Sequence, residues 1–137
     1  MSKQVLEIPQ GSDIFDGTRA LFENFGFSPA VKAGGLLFIA GQVGLRPDGT
    51  VPDSVAEQTE CAFQRTGEIL RLSGLDFSDL VEVVSYHVDM ANNLAAFLPV
   101  KKIYTQRPFP SWTMVGIEAL ARPTMKIEIR SVAALRS

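Results

Sequence analysis

Glu128 alternates with Ile127 and Ile129 in a short apolar stretch. A carboxylate in that pattern either faces water or sits in an apolar cleft, where desolvation raises its pKa into the range useful for proton transfer. The pattern leaves both open. Gly41 and Gln42 directly follow an apolar run and can offer backbone N–H groups to an anion or carbonyl, although a plain β-turn explains the pair equally well. His87 is the one histidine of 137 residues and the one side chain whose ordinary pKa lies near neutrality. With no identifiable partner it reads as a packed or surface residue sooner than as a base. Cys61 falls in mid-helix, away from any N-terminus that would acidify it, and reads as an inert thiol.

Several chemistries are excluded. No phosphate-cradling loop, dinucleotide glycine fingerprint or helical zinc-binding histidine pair occurs. One histidine and one cysteine cannot by themselves assemble a structural zinc site, and one cysteine cannot form an intrachain disulfide. No metal and no cofactor is expected. Thirteen basic against fifteen acidic residues give a net charge of −2, without the positive field that nucleic acid or an anionic membrane demands. A single histidine also yields no pair for RNA cleavage, so no nucleic-acid partner is expected. The longest apolar stretch, 33–41, is far shorter than the ~20 residues of a spanning helix, and no basic-then-apolar leader precedes it. The expectation is a cytoplasmic protein with no membrane contact.

The elements that must position these residues follow from periodicity. Length and a hydrophobic content of 46% suit one domain over residues 1–137 with a single core, and no segment is biased enough to be a linker. The run 35–41 predicts a strand buried on both faces, and 46–50 a turn built on Pro47, Asp48 and Gly49. Ser54 and Glu57 form a capping-box pattern that opens a helix over 54–73. Its stripe runs Val55, Ala62, Thr66, Ile69 and Leu70, and Gly74 closes it. A β-branched strand is predicted at 79–88. Asn92 or Asn93 caps a second helix with Leu94, Phe97 and Leu98 on its stripe, stopped by the prolines of 107–110. Strands at 112–120 and 126–133 follow, divided by a turn at 122–124. In the last, Ile127, Ile129, Ser131 and Ala133 share one face, while Lys126, Glu128, Arg130 and Val132 share the other.

This order predicts an α+β fold, a mixed sheet with two helices on one face. Thr113, Val115, Ile117, Ala119, Ile127 and Ile129 are then expected to leave an uncovered apolar sheet surface, which favours an oligomer closing sheet against sheet.

The segments 27–31, 37–44, 70–74, 79–81, 126–129 and 132–133, with Gln58, Asp89 and Met90, carry a resemblance over about residues 27–134. Together they resemble the RidA/YjgF family of enamine and imine deaminases. The resemblance implies a chorismate-mutase-like protomer and a homotrimer whose sheets form a central barrel, with pockets at the three subunit interfaces. It also implies chemistry without metal or organic cofactor: an arginine grips a substrate carboxylate, and a glutamate positions the water that attacks a C=N carbon, releasing ammonia.

Residue by residue, the family's glutamate falls on Glu128 and its glycine backbone on Gly41. Its arginine falls on Trp112, its tyrosine on Phe27, its serine on Ala40 and its asparagine on Lys101, with Met114 counted to the same pocket. Indole has one donor and no charge, so it cannot replace a bidentate guanidinium. Phe27 and Ala40 each remove a hydroxyl, which makes the expected crevice more apolar and favours a neutral or aromatic ligand stacked on Trp112 and Phe27. Trp112 as interface core is the alternative, and Lys101 either restores positive charge or points to solvent. The resulting expectation is a protein that binds a small metabolite and hydrolyses a C=N or related bond of a non-carboxylate or aromatic substrate. A non-catalytic ligand-binding protein is the runner-up, and an RNA-directed role comes last.

Overall fold

The computed structural model describes residues 2–137. In chain order the elements are β1 (Gln4–Leu6), α1 (Ala20–Phe25), β2 (Ala30–Ala33), β3 (Leu36–Val43), α2 (Val55–Leu72), β4 (Leu80–Val88), α3 (Met90–Tyr104), β5 (Ser111–Ile117) and β6 (Ile127–Ala134). A 3₁₀ turn at Phe77–Asp79 leads into β4. The six strands form one sheet in the order β1-β2-β3-β6-β4-β5. All neighbours are antiparallel except β4 and β5, whose parallel pairing α3 makes possible by carrying the chain back across the sheet.

One face is covered by α2 and α3. Phe63, Ile69 and Leu70 of α2 and Phe97 and Val100 of α3 pack on Leu37, Val83, Ile127 and Ile129. The alternation in β6 is as expected, with Ile127, Ile129, Ser131 and Ala133 sealed. Two expectations fail in a related way. Strand β3 is sealed on one face only, since Leu37 and Ile39 are buried while Phe38 between them is 46% exposed. Ile127 and Ile129 belong to the covered face, so the open face is carried instead by Phe38, Val132, Thr113, Val115 and Ile117. The reason is the pleat: β5 and β6 flank β4, and Ile129 and Met114 both stand opposite Ser85, on the helix side.

The helix ends explain the remaining offsets. The Ser54 hydroxyl accepts from the Glu57 N–H at 3.1 Å, but Glu57 does not reach back to complete the box. Its carboxylate is taken by Arg46, whose Nε and Nη2 donate to it at 3.0 and 2.7 Å. Gly74, at φ 71°, closes α2 as expected. Helix α3 begins at Met90, ahead of both asparagines, because Asp89 adopts φ 50° and turns the chain straight out of β4. Asn92 donates to the Asp89 carboxylate and Asn93 to the Val88 carbonyl, so both fasten the corner and neither is the cap. The N-terminal elements β1, α1 and β2 have no counterpart in the sequence-based expectation. Helix α1 has six residues and no side-chain cap; it is held by Phe22, which packs on Phe15 and Phe27.

Candidate functional site

Between Ile39 and Gln42 the β3–β6 register slips: Ile39 stands opposite Ser131 and Gln42 opposite Ile129, leaving Ala40 and Gly41 to face one residue. This is a β-bulge, the device that re-aims a backbone beside a site. It lays Gly41 against Glu128. A Cβ on Gly41 would lie 2.6 Å from Glu128 Oε2, so only glycine lets strand and carboxylate approach this closely. The Glu128 carboxyl makes no hydrogen bond among the described residues, and burial pushes its pKa up.

Glu128 and Gly41 form part of the wall of a cavity of about 400 Å³. Leu21, Phe22 and Phe25 of α1, with Phe27, supply an apolar side, and Leu45 and Met125 extend it. The segment 121–125 closes another side, and Gln58 of α2 staples it in place. Gln58 Nε2 donates to the Thr124 and Pro52 carbonyls, while its Oε1 accepts from the Lys126 N–H at 2.8 Å.

Two guanidinium groups also reach this cavity. Arg122, on an exposed turn, donates to the Gly49 carbonyl. Arg65 comes from α2 and is only 4% exposed. Its Nε donates to the Gln42 side-chain oxygen at 3.1 Å, its Nη1 to the Thr18 hydroxyl at 2.8 Å, and its plane lies 4.5 Å from the Phe15 ring centre. Burial pulls its pKa down to about 10, so it stays charged at neutral pH. Sequence reading missed Arg65. The signal was present, since Arg65 stands three residues after Ala62 and four before Ile69, on the buried face of α2.

The other expected residues lie elsewhere in the protomer. Trp112, Met114 and His87 all point to the helix side of the sheet, away from Glu128. Trp112 Nε1 donates to the Ser85 hydroxyl at 2.9 Å, and that hydroxyl is also 2.8 Å from His87 Nε2. Its indole packs against Phe63 and Phe97, so Trp112 is partly core. His87 is packed edge-on to Phe97 and 1% exposed, and burial lowers its pKa. Lys101 Nζ lies 4.3 Å above the Trp112 ring, with its pKa lowered by burial and then by Lys102. Within its own protomer it lies against the indole and does not line the Glu128 cavity. Ala40 sits on the bulge but lines a shallower hollow on the open sheet face, with Phe38 and Arg130. Within one protomer the cavity beside Glu128 is lined by two guanidinium groups and no indole, whereas the indole-walled crevice expected from the sequence is a crevice between copies of the chain. Cys61 is buried, and burial raises its pKa, as expected of an inert thiol. Among the described residues no cluster of histidine, cysteine and carboxylate side chains could hold a metal ion.

A sheet covered on one side by two long helices, with an isolated carboxyl over a glycine bulge, defines the class: an α+β protomer with the chorismate-mutase-like fold. The family model described as Endoribonuclease L-PSP matches residues 17–135, and the chain belongs to that family, the YjgF/RidA family. The RutC family protein YjgH of Escherichia coli is 35% identical over 114 residues, covering 82% of this chain and 87% of its own. The 2-iminobutanoate/2-iminopropanoate deaminase of Mus musculus is 33% identical over 109 residues, 78% of this chain and 79% of the relative. A solved structure titled Protein YJGH superimposes with a TM-score of 0.80 at 32% identity, covering 97% of this chain and 95% of that one. No helix among the described residues is long and apolar enough to cross a membrane.

Proposed function

We propose that this protein hydrolyses the C=N bond of a small imine, or of the imine tautomer of an enamine, in the cavity that holds Glu128. The observation that carries this reading is the Glu128 carboxyl itself: unpartnered, shifted upward by burial, and pressed against a backbone that only glycine permits. Family membership, with relatives named as imine deaminases, supports the same reaction class.

The step needs only water and one titrating group. Ionised Glu128 takes a proton from water as the water oxygen bonds to the carbon of a protonated imine, giving a neutral carbinolamine. Glu128 then passes that proton to the nitrogen, the C–N bond breaks and ammonia leaves. The hydroxyl proton returns to Glu128 as the carbonyl forms. A carboxyl with a raised pKa can serve in both directions near neutral pH. The Gly41 N–H is the group placed to polarise the substrate. No cofactor enters the step.

The working unit is a homotrimer. The open face, with Phe38 46% exposed, and the edge strand β5 supply surfaces for neighbouring copies. In that assembly β5 of one copy, bearing Trp112 and Met114, with Lys101 of α3 above the indole, closes the cavity of the next, with Phe27 and Ala40 on the receiving side. Light scattering should return the mass of three chains.

The test of the chemistry is ammonia release from imines generated in situ by an amino-acid oxidase. Wild type should accelerate release, and Glu128→Gln should lower the rate by about 100-fold or more while remaining folded. Unchanged turnover in Glu128→Gln, with only ligand binding altered, would replace this reading by a ligand-binding role.

A further inference from the structure

We infer that Arg65 and Gln42 are positioning residues for the reaction: a chain of hydrogen bonds runs from the buried guanidinium through the Gln42 amide to the Ala40–Gly41 peptide, and so aims and strengthens the Gly41 N–H that meets the substrate. This rests on the reading of the Glu128 cavity as the reaction centre and adds the residues that prepare its backbone donor.

The β-bulge creates the need. Ala40 and Gly41 leave the ladder with β6 together, and a glycine there has the widest choice of backbone directions. The Ala40 C=O and the Gly41 N–H are the two ends of one planar trans peptide, so whatever holds the oxygen fixes where the N–H points. Gln42 holds that oxygen: its side chain turns back, and Nε2 donates to the Ala40 carbonyl at 3.1 Å. Its Oε1 accepts from Arg65 Nε, also at 3.1 Å. The orientation of this amide is dictated by its neighbours, because a carbonyl only accepts and a guanidinium only donates. Arg65 is fixed in turn by its bond to the Thr18 hydroxyl at 2.8 Å and by the face of Phe15. Gln42 is 1% exposed and Arg65 4%, so bulk water does not compete for the bond between them.

Stability alone does not account for the charge. Among the described residues Arg65 meets no carboxylate, only the uncharged Thr18, Gln42 and Phe15, and an apolar side chain of that size would hold α2 about as well. What the cation adds is polarisation. Each bond of the chain draws electron density from the amide that accepts it and makes the N–H at the far end of that amide a stronger donor, by about 10–30% per bond. Two amide groups separate the guanidinium from the cavity, and the last donor is the N–H of Gly41, which lines it. A backbone dipole aimed before the substrate arrives is the kind that best stabilises electron density building up as water adds. The acid stands outside this chain, since burial alone raises the Glu128 pKa. Arg65 therefore acts on the bulge and leaves the carboxyl as it is.

The test reads the peptide and the turnover separately. In wild type, NMR should show through-hydrogen-bond scalar couplings from Arg65 Nε to the Gln42 side-chain carbonyl carbon and from Gln42 Nε2 to the Ala40 carbonyl carbon. Arg65→Gln should move the Ala40 carbonyl-carbon and Gly41 N–H signals upfield and lower kcat for ammonia release about tenfold. KM should change less than about twofold, and the acid limb of the pH profile, set by Glu128, should stay in place. Arg65→Lys keeps the charge and should recover part of kcat; a lysine variant no faster than Arg65→Gln overturns the role of the charge. Absence of either coupling in wild type overturns the chain, even should Arg65→Gln not fold. Wild-type kcat in Arg65→Gln overturns it too, as does a loss confined to KM, which loosening of the cavity would give, or a displaced acid limb, which would mean that the charge acts on Glu128 directly. Both couplings without any ammonia release would sink the hydrolytic reading and spare the chain; ammonia release without the couplings would do the reverse.

Discussion

Trp112 and Glu128, expected to meet across an interface between copies, lie on opposite faces of the sheet within one protomer, and their surroundings differ in kind. On the helix side, the polar groups around Trp112 mostly engage one another, indole N–H to Ser85, Ser85 to His87, and the Lys101 ammonium over the indole face, while the Ser131 hydroxyl is sealed without a partner. On the Glu128 side, a half-buried carboxyl lines an apolar-walled cavity and has no hydrogen-bond partner among the described residues. Partnered polar groups hold a fold together, whereas a titratable group left unpaired beside open space is free to meet a ligand. The first region is mainly packing, and the second holds the group that the proposed reaction uses.

Substitutions sharpen the contrast. Trp112→Ala should cost about 3 kcal/mol in denaturant unfolding, through the lost aromatic packing and the stranded Ser85–His87 pair. Trp112→Arg should be similarly unstable, since a guanidinium does not replace the indole packed on Phe63 and Phe97; an unfolding midpoint equal to that of wild type would show that this packing is dispensable. Gly41→Ala acts the other way. Its methyl displaces the flexible Glu128 carboxylate, so turnover should fall about tenfold with little change in unfolding midpoint, and a variant with full activity would show that the close approach is dispensable.

Lys101→Met removes a cation from an indole face and should change stability by no more than about 1 kcal/mol; a larger loss in denaturant unfolding would show that the ammonium carries more than this one contact. The smallest effect at neutral pH belongs to His87. Its pKa is depressed in the folded state, so its contribution is present above the ordinary value of 6.5 and is lost as pH falls below that. His87→Gln should therefore flatten the acid limb of a stability–pH curve, and an unaltered limb would assign it to other groups.

Much of this was legible in the sequence, and the failures have physical causes. The alternation of β6 placed Glu128 correctly opposite the core face, and Ser54 and Gly74 bracketed α2 to within a residue or two. That Ile127 and Ile129 share a face with Trp112 and not with Thr113 could not be read, because it depends on the pairing of β4 with β5 and β6, a matter of tertiary register. Asn92 and Asn93 looked like caps since asparagine favours that position, but a left-handed Asp89 made the turn first. The short elements β1, α1 and β2 owe their structure to packing on the sheet and to Phe22, and carry little propensity signal of their own. Arg65 was overlooked because a charged residue on a helix is read as solvated; only its spacing from Ala62 and Ile69 betrayed the buried face.

The most direct measurement is a carbon-detected NMR titration of the Glu128 side-chain carboxyl in the assembled protein. Its midpoint should lie above the ordinary 4.5, with the ionised form disfavoured by the cavity, so that stability declines slightly as pH rises through the midpoint and Glu128→Gln removes that decline. A midpoint at or below 4.5 would mean a solvated or ion-paired acid, and the assignment of this cavity as the reaction centre would be wrong.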